Sequence, residues 1–225
     1  MKQIQRKQSG FTLVEIAIVL VIIGLLLGGV LKGQSMIDNA KVKSYTQEFS
    51  SVSTMLYAYQ DKYKSLPGDD ANVALHLGGL ATGATAGAAT TGDGSYDTGN
   101  WVGLTVAPAA ANESSLYWQH VRLAGLANGS VILGDANNAT GGILGITSVS
   151  SVNRVTSPAN TSGTFVTCSS GITGRLATIL DIAMDDGIGN SGNMFGSPEA
   201  AGPIVAAVAS AVYTPAATFT VCQTF

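Results

Sequence analysis

The chain has 225 residues, with 11 Lys and Arg against 14 Asp and Glu, and only 11% charged residues beside 46% hydrophobic ones. A net charge of −3 argues against a general nucleic-acid binder, which needs a basic face to neutralise phosphates. Two cysteines, no C-x-x-C and two isolated histidines, His76 and His120, offer no zinc-ligand spacing.

The first ten residues carry Lys2, Arg6 and Lys7 and no acid, whereas Phe11 to Leu31 contains a single charge, Glu15. That apolar run has the length of a membrane-spanning helix, about 20 residues. No small-residue cleavage site of the A-x-A kind follows Leu31, so the segment is expected to stay in the mature chain rather than leave as a signal peptide. Basic residues before the span and few directly after it place the N-terminus in the cytoplasm and the rest outside. A carboxylate inside such a segment costs about 2.5–3.5 kcal/mol at a helix centre, which makes Glu15 a functional-site candidate. The competing reading is an ordinary single-pass anchor. Glu15 lies four residues into the span, only about 6 Å of helix, and can snorkel part of the way to water.

The run Lys7-Gln8-Ser9-Gly10-Phe11-Thr12-Leu13-Val14-Glu15 resembles the prepilin leader and processing site of type IV pilins and type II secretion pseudopilins. The resemblance implies cleavage by a membrane peptidase between Gly10 and Phe11, methylation of the new Phe11 amine, and use of Glu15 in subunit docking. It also implies partners: copies of the chain and other pilins in a filament, the prepilin peptidase, and an inner-membrane assembly platform. The implied location is the bacterial inner membrane, single pass, then a periplasmic pseudopilus or a cell-surface pilus. Without residues 1–10 the chain keeps 8 basic and 14 acidic residues, net −6.

Beyond the span, Tyr45, Phe49, Val52, Leu56, Tyr59 and Tyr63 recur at spacings of four and three, the signature of one helical stripe. With no proline before Pro67, the pattern predicts one helix from Thr12 to Lys64, roughly 80 Å long, apolar all round at first and amphipathic afterwards. Gly24, Gly28, Gly29 and Gly33 interrupt its apolar half. They read either as small-xxx-small pairs for close helix packing or as a place for local unwinding. Type IVa pilins often carry a helix-distorting proline in this region; this chain has Lys32 and the glycines instead.

Leu66-Pro67-Gly68-Asp69-Asp70 breaks the helix, with Asp69 and Asp70 read as caps for a short turn over 71–77. Residues 78–112, rich in Gly, Ala and Thr, read as a connector loop. Asn112 and Glu113 open a helix over about 113–124. Short apolar runs at 131–133, 143–149, 164–168 and 218–222 are strand candidates. Residues 172–184 have helical spacing, and 204–213 fit helix or strand. The order gives an α+β fold: a long N-terminal helix on a small antiparallel sheet, similar to pilins. The expected organisation is a leader at 1–10, a membrane or filament-core helix half at 11–31, an amphipathic half at 32–65, and a globular domain at 66–225.

In an oxidising compartment the even cysteine count reads as a Cys168–Cys222 disulfide, worth about 3–4 kcal/mol in the chain-entropy model; the alternative is two buried free thiols. Many pilins close a C-terminal loop in this way, so the resemblance implies the bridge. Asp93, Ser95 and Asp97 place oxygens at alternating positions, as the start of an EF-hand loop does, but Leu104 stands where its bidentate Glu belongs. They are weak calcium candidates, and a solvated turn is the competing reading. The acid-rich turn 185–190 gives no stronger match. Gly189-Asn190-Ser191-Gly192 is not a nucleophile elbow, and no enzyme activity is expected. The favoured reading is a structural filament subunit. The alternative is a membrane-anchored or filament-tip binding module, an adhesin or receptor, that uses the 78–112 loop.

Overall fold

The computed structural model describes residues 12–79, 92–96, 113–131, 136–151, 155–156, 162–199, 207–208 and 211–225. The chain divides into two compact units, Met1–Ala40 and Lys41–Phe225. Helix α1, Leu13–Tyr63, passes from the first into the second. It stops one residue short of the predicted limit at each end. At its C-terminal end Lys64 turns into the left-handed region at φ 58°, and Pro67 then prevents the helix from resuming.

In the first unit α1 has no buried face: Leu13, Ile18, Leu25 and Leu31 are all exposed. This is the one helix among the described residues long and apolar enough to cross a membrane. The helix runs unbroken through its glycines.

In the second unit the predicted stripe is buried from Tyr45 to Tyr59, and its last residue, Tyr63, is half-buried. Val42, Tyr45 and Phe49 pack with Ile172, Leu176, Leu180, Met194, Phe219 and Val221. Val52 and Leu56 pack with Tyr96, Tyr117, Trp118, Leu144, Ile146 and Phe165. Each such side chain contributes about 1.5–3 kcal/mol through the area it removes from water. Short helices α2, Val73–Leu77, and α3, Glu113–Leu123, follow α1. The antiparallel sheet comprises β1 (Ala136–Asn137), β2 (Ile143–Ser148), β4 (Phe165–Thr173), β5 (Met194–Pro198) and β7 (Thr218–Thr224). Its strand order is β1-β2-β4-β7-β5. A separate parallel pair joins β3, Val155–Thr156, to β6, Ala207–Val208. Helix α4, Gly174–Met184, lies between β4 and β5 in the chain. The architecture is the expected α+β one.

The bounds differ instructively. β4 runs five residues beyond the predicted 164–168, through a register shift between Ser169 and Ile172. Ile172 and Thr173, expected in the helix, instead pair with Phe219 and Thr218, so α4 begins at Gly174. A Cβ at Gly174 would stand 2.0 Å from the Thr214 carbonyl oxygen, which holds this position to glycine. Strand β5 was not expected, because Gly196 and Pro198 weaken any strand signal. Of the predicted strand 131–133, only Val131 is described; of 204–213, the described part supplies β6. Cys168 and Cys222 are directly opposite on β4 and β7, buried and joined by the disulfide, with Cα atoms 4.0 Å apart.

Candidate functional site

The start of α1 combines an exposed apolar surface with one acid. Thr12 and Glu15 cap each other. The Thr12 N–H and hydroxyl both donate to Glu15 Oε2, each at 2.8 Å, and the Glu15 N–H reaches back to Thr12 Oγ1 at 3.3 Å. This is a capping box, which satisfies otherwise orphaned N–H groups of a helix start. The membrane cost that marks Glu15 does not mark Thr12; T-x-x-E before an apolar run is the signal that finds it. The negative side chain at the positive end of the helix is also favourable. Gly10 and Phe11 lie outside the described residues.

Val14, Ala17, Ile18, Val21 and Ile22 line one apolar groove along the helix. Farther on, a Cβ added at Gly24, Gly28, Gly29 or Gly33 would meet nothing within 4 Å. Among the described residues nothing requires glycine at these four positions. They leave the helix surface open to close approach by another helix.

The other sequence candidates sit in the second unit and are held by their own chain. Asp93 Oδ1 accepts the Ser95 N–H at 2.9 Å, and Asp97 lies outside the described residues. The predicted helix-capping role of Asp69 is not what the fold uses. Its Oδ2 accepts the Gly94 N–H at 2.8 Å, and its other oxygen accepts that of Gly92. Asp70 does serve the turn before α2, accepting the Asn72 N–H at 2.9 Å. It also takes the Tyr59 hydroxyl at 2.8 Å and His76 Nδ1 at 2.6 Å. Burial works against the Asp70 charge, but the bonds from His76, Tyr59 and Asn72 outweigh it and hold its carboxyl below the ordinary value.

His76, isolated in the sequence, therefore has an acid partner six residues upstream. His120 is fully buried, and its Nδ1 accepts the Gly68 N–H at 2.8 Å. Gly68 has φ 98°, and a Cβ there would stand 2.1 Å from the Glu113 carbonyl oxygen. These partners leave both histidines in structural roles.

Asp181, Asp185 and Asp186 form the acidic cluster among the described residues. Each carboxylate already binds groups of the fold: Asp181 the Tyr213 hydroxyl and the Gly187 N–H, Asp185 the Met194 N–H, and Asp186 the Ser191 hydroxyl and the Ile188 N–H.

Residues 5–31 match the family described as the prokaryotic N-terminal methylation motif, the leader signature of type IV pilins and pseudopilins. The match spans the last six residues of the expected leader, with Gly10, and then Phe11, the Thr12–Glu15 capping box and the apolar run. It supports a pilin- or pseudopilin-type protein that is processed by prepilin peptidase and anchored in a membrane before assembly. No curated protein and no solved structure matches the chain.

Proposed function

We propose that this chain is a structural subunit of a type IV pilus or type II secretion pseudopilus. The peptidase cuts between Gly10 and Phe11, Phe11 is methylated, and the helix anchors the subunit in the inner membrane until the assembly platform lifts it into a helical filament. One observation carries the reading. The methylation motif covers a helix half whose large apolar side chains, from Leu13 to Leu31, are all exposed. Such a surface needs lipid or neighbouring helices. In the filament the neighbours are other copies of α1, and the four glycines allow close contact. No Lys or Arg lies between residues 8 and 31, so the processed Phe11 amine is the cation available to Glu15. The amine of one subunit meets the carboxylate of another, which neutralises both and sets their register.

The test is mass spectrometry of mature protein together with electron microscopy of sheared cell surfaces, using an antibody to the globular domain. The expected result is an N-terminal methylated Phe11 in labelled filaments, with a Gly10→Leu variant left uncut in the membrane. Filaments built from chains that still begin at Met1 would overturn the reading. Normal processing without filaments, together with ligand binding that depends on 78–112, would favour the membrane-anchored binding module instead.

A further inference from the structure

Three steps of the chain set an Asp or Asn directly before glycine: Asp93-Gly94, Asn128-Gly129 and Asp186-Gly187. Such a step can close on itself. The glycine nitrogen attacks the side-chain carbonyl of the preceding residue, and no Cβ stands in its way. At two of the steps the fold holds both reacting groups. The Gly94 N–H donates to Asp69 Oδ2 at 2.8 Å, and Asp93 Oδ1 accepts the Ser95 N–H at 2.9 Å. The Gly187 N–H donates to Asp181 Oδ1 at 2.8 Å, and Asp186 accepts the Ile188 N–H and the Ser191 hydroxyl. At Asn190-Ser191, where the second residue is also small, the Ser191 N–H donates to the Ile188 carbonyl oxygen at 3.0 Å.

Asn128-Gly129 is held by neither kind of bond. It lies in the turn after α3, and Asn128, Gly129 and Ser130 are all exposed. Among the described residues no hydrogen bond engages the Asn128 side chain or the Gly129 N–H. The turn keeps its glycine: Gly129 has φ 129°, and a Cβ there would stand 3.0 Å from Arg122 Nε. Arg122 Nη1 donates to the Ser130 carbonyl oxygen at 3.2 Å, so a guanidinium lies against the peptide that reacts.

We propose that Asn128 is a site of spontaneous modification, where the side-chain amide is lost and aspartate or isoaspartate remains. Hydroxide removes the Gly129 amide proton, and the nitrogen bonds to Asn128 Cγ. The Cγ–Nδ2 bond breaks, ammonia leaves with a proton from water, and a succinimide ring results. Water then opens the ring at either carbonyl. The Arg122 cation favours the deprotonated Gly129 nitrogen and afterwards the new carboxylate, as a nearby opposite charge does. Each converted chain gains one negative charge, and the isoaspartyl product carries an extra methylene in the backbone of the turn. Nothing in this argument depends on the filament reading.

The experiment uses the full chain in detergent, incubated in mildly alkaline buffer, then focused by charge and mapped as tryptic peptides by mass spectrometry. The peptide Leu123–Arg154 is expected to exchange the Asn128 amide for a carboxyl, with isoaspartate among the products, and the intact chain to move by one charge toward acid. Asn128→Gln has a longer side chain that must close a six-membered ring, a slower reaction, and is expected to hold its position. In denaturant the Asn190 amide loses the guard of the Ser191 hydrogen bond and is expected to disappear several-fold faster than in the folded chain, whereas the Asn128 rate changes little. An Asn128 amide that outlasts that of Asn190 in the folded chain, or an acid shift that persists in Asn128→Gln, would overturn the proposal. So would a sugar on Asn128, which with Ser130 has the N-x-S acceptor pattern.

Discussion

The Asp185 carboxylate accepts the Met194 N–H at 2.8 Å, and this bond closes an edge of the sheet. The Thr224 N–H donates to the Asn193 carbonyl oxygen and the Glu199 N–H to that of Thr218, so the odd-numbered residues of β5 bond β7. The backbone N positions of Met194, Gly196 and Pro198 point away from β7. Asp185 takes the first N–H, the Gly189 carbonyl oxygen takes the second at 2.8 Å, and proline has none to offer. At the opposite edge β1 is only two residues long. Unpaired edges invite strand addition; along the outer side of β5 no N–H is left free for it.

Removing the guard should be costly. Asp185→Ala deprives a buried N–H of its charged acceptor, a loss of about 1–3 kcal/mol. The expected outcome is a lower melting temperature accompanied by concentration-dependent light scattering. A variant with wild-type melting and no scattering would show that the edge needs no carboxylate.

Asn138 is expected to be comparably sensitive. Its Nδ2 donates to Ser169 Oγ at 2.8 Å and to the Ser170 carbonyl oxygen at 2.6 Å, while Oδ1 accepts the N–H groups of Thr140 and Gly142. The same turn presents Thr140 to the Tyr45 hydroxyl of α1 at 2.5 Å. Asn138→Ala leaves several buried groups unsatisfied and should cost about 2–3 kcal/mol, read as a shift in the denaturant midpoint. Asn138→Asp keeps the acceptor, loses the donors, and should also destabilise.

The cysteine pair gives a third expectation. Non-reducing peptide mapping should link Cys168 to Cys222. Replacing both with Ser should lower stability by about 2–4 kcal/mol, because the closed loop no longer restricts the unfolded chain. Two freely alkylated thiols in native exported protein would contradict the bridge.

What was legible in the sequence follows from how locally each signal is encoded. The stripe from Tyr45 to Tyr59 repeats over several turns, so α1 was found almost to the residue. Strands β2, β4 and β7 announced themselves through apolar runs between glycines. β5 did not, because Met194–Pro198 is a strand by virtue of pairing with β7 and of the loop that seals its edge. Ile172 and Thr173 have helical spacing but are claimed by Phe219 and Thr218 across the sheet. At the candidate site the costly acid stands out in the sequence, whereas its cap is recognised only once Thr12 is seen to bond it. By contrast, the partners of Asp69 lie 23 and 25 residues away, a proximity that no periodicity encodes.

Glu15 has one observed role, capping its own helix, and one proposed role, docking another subunit, and the two can be separated. Thr12→Val removes the capping hydroxyl and keeps the carboxylate. The loss of a cap costs about 1 kcal/mol, small beside the burial of the whole helix half, so this variant should be processed and should assemble close to wild type. Glu15→Leu removes the carboxylate and keeps the bulk. It should be cleaved and inserted normally, because neither step needs the charge, but should assemble poorly, because a buried Phe11 amine is then left without its counter-charge, an arrangement low-dielectric surroundings penalise strongly. Pulse-labelled cleavage and filament yield, measured in the same cells, distinguish the two roles. Equal loss of filaments in both variants would assign Glu15 to capping alone. A wild-type yield from Glu15→Leu would show that apolar packing sets the register without any charge pair.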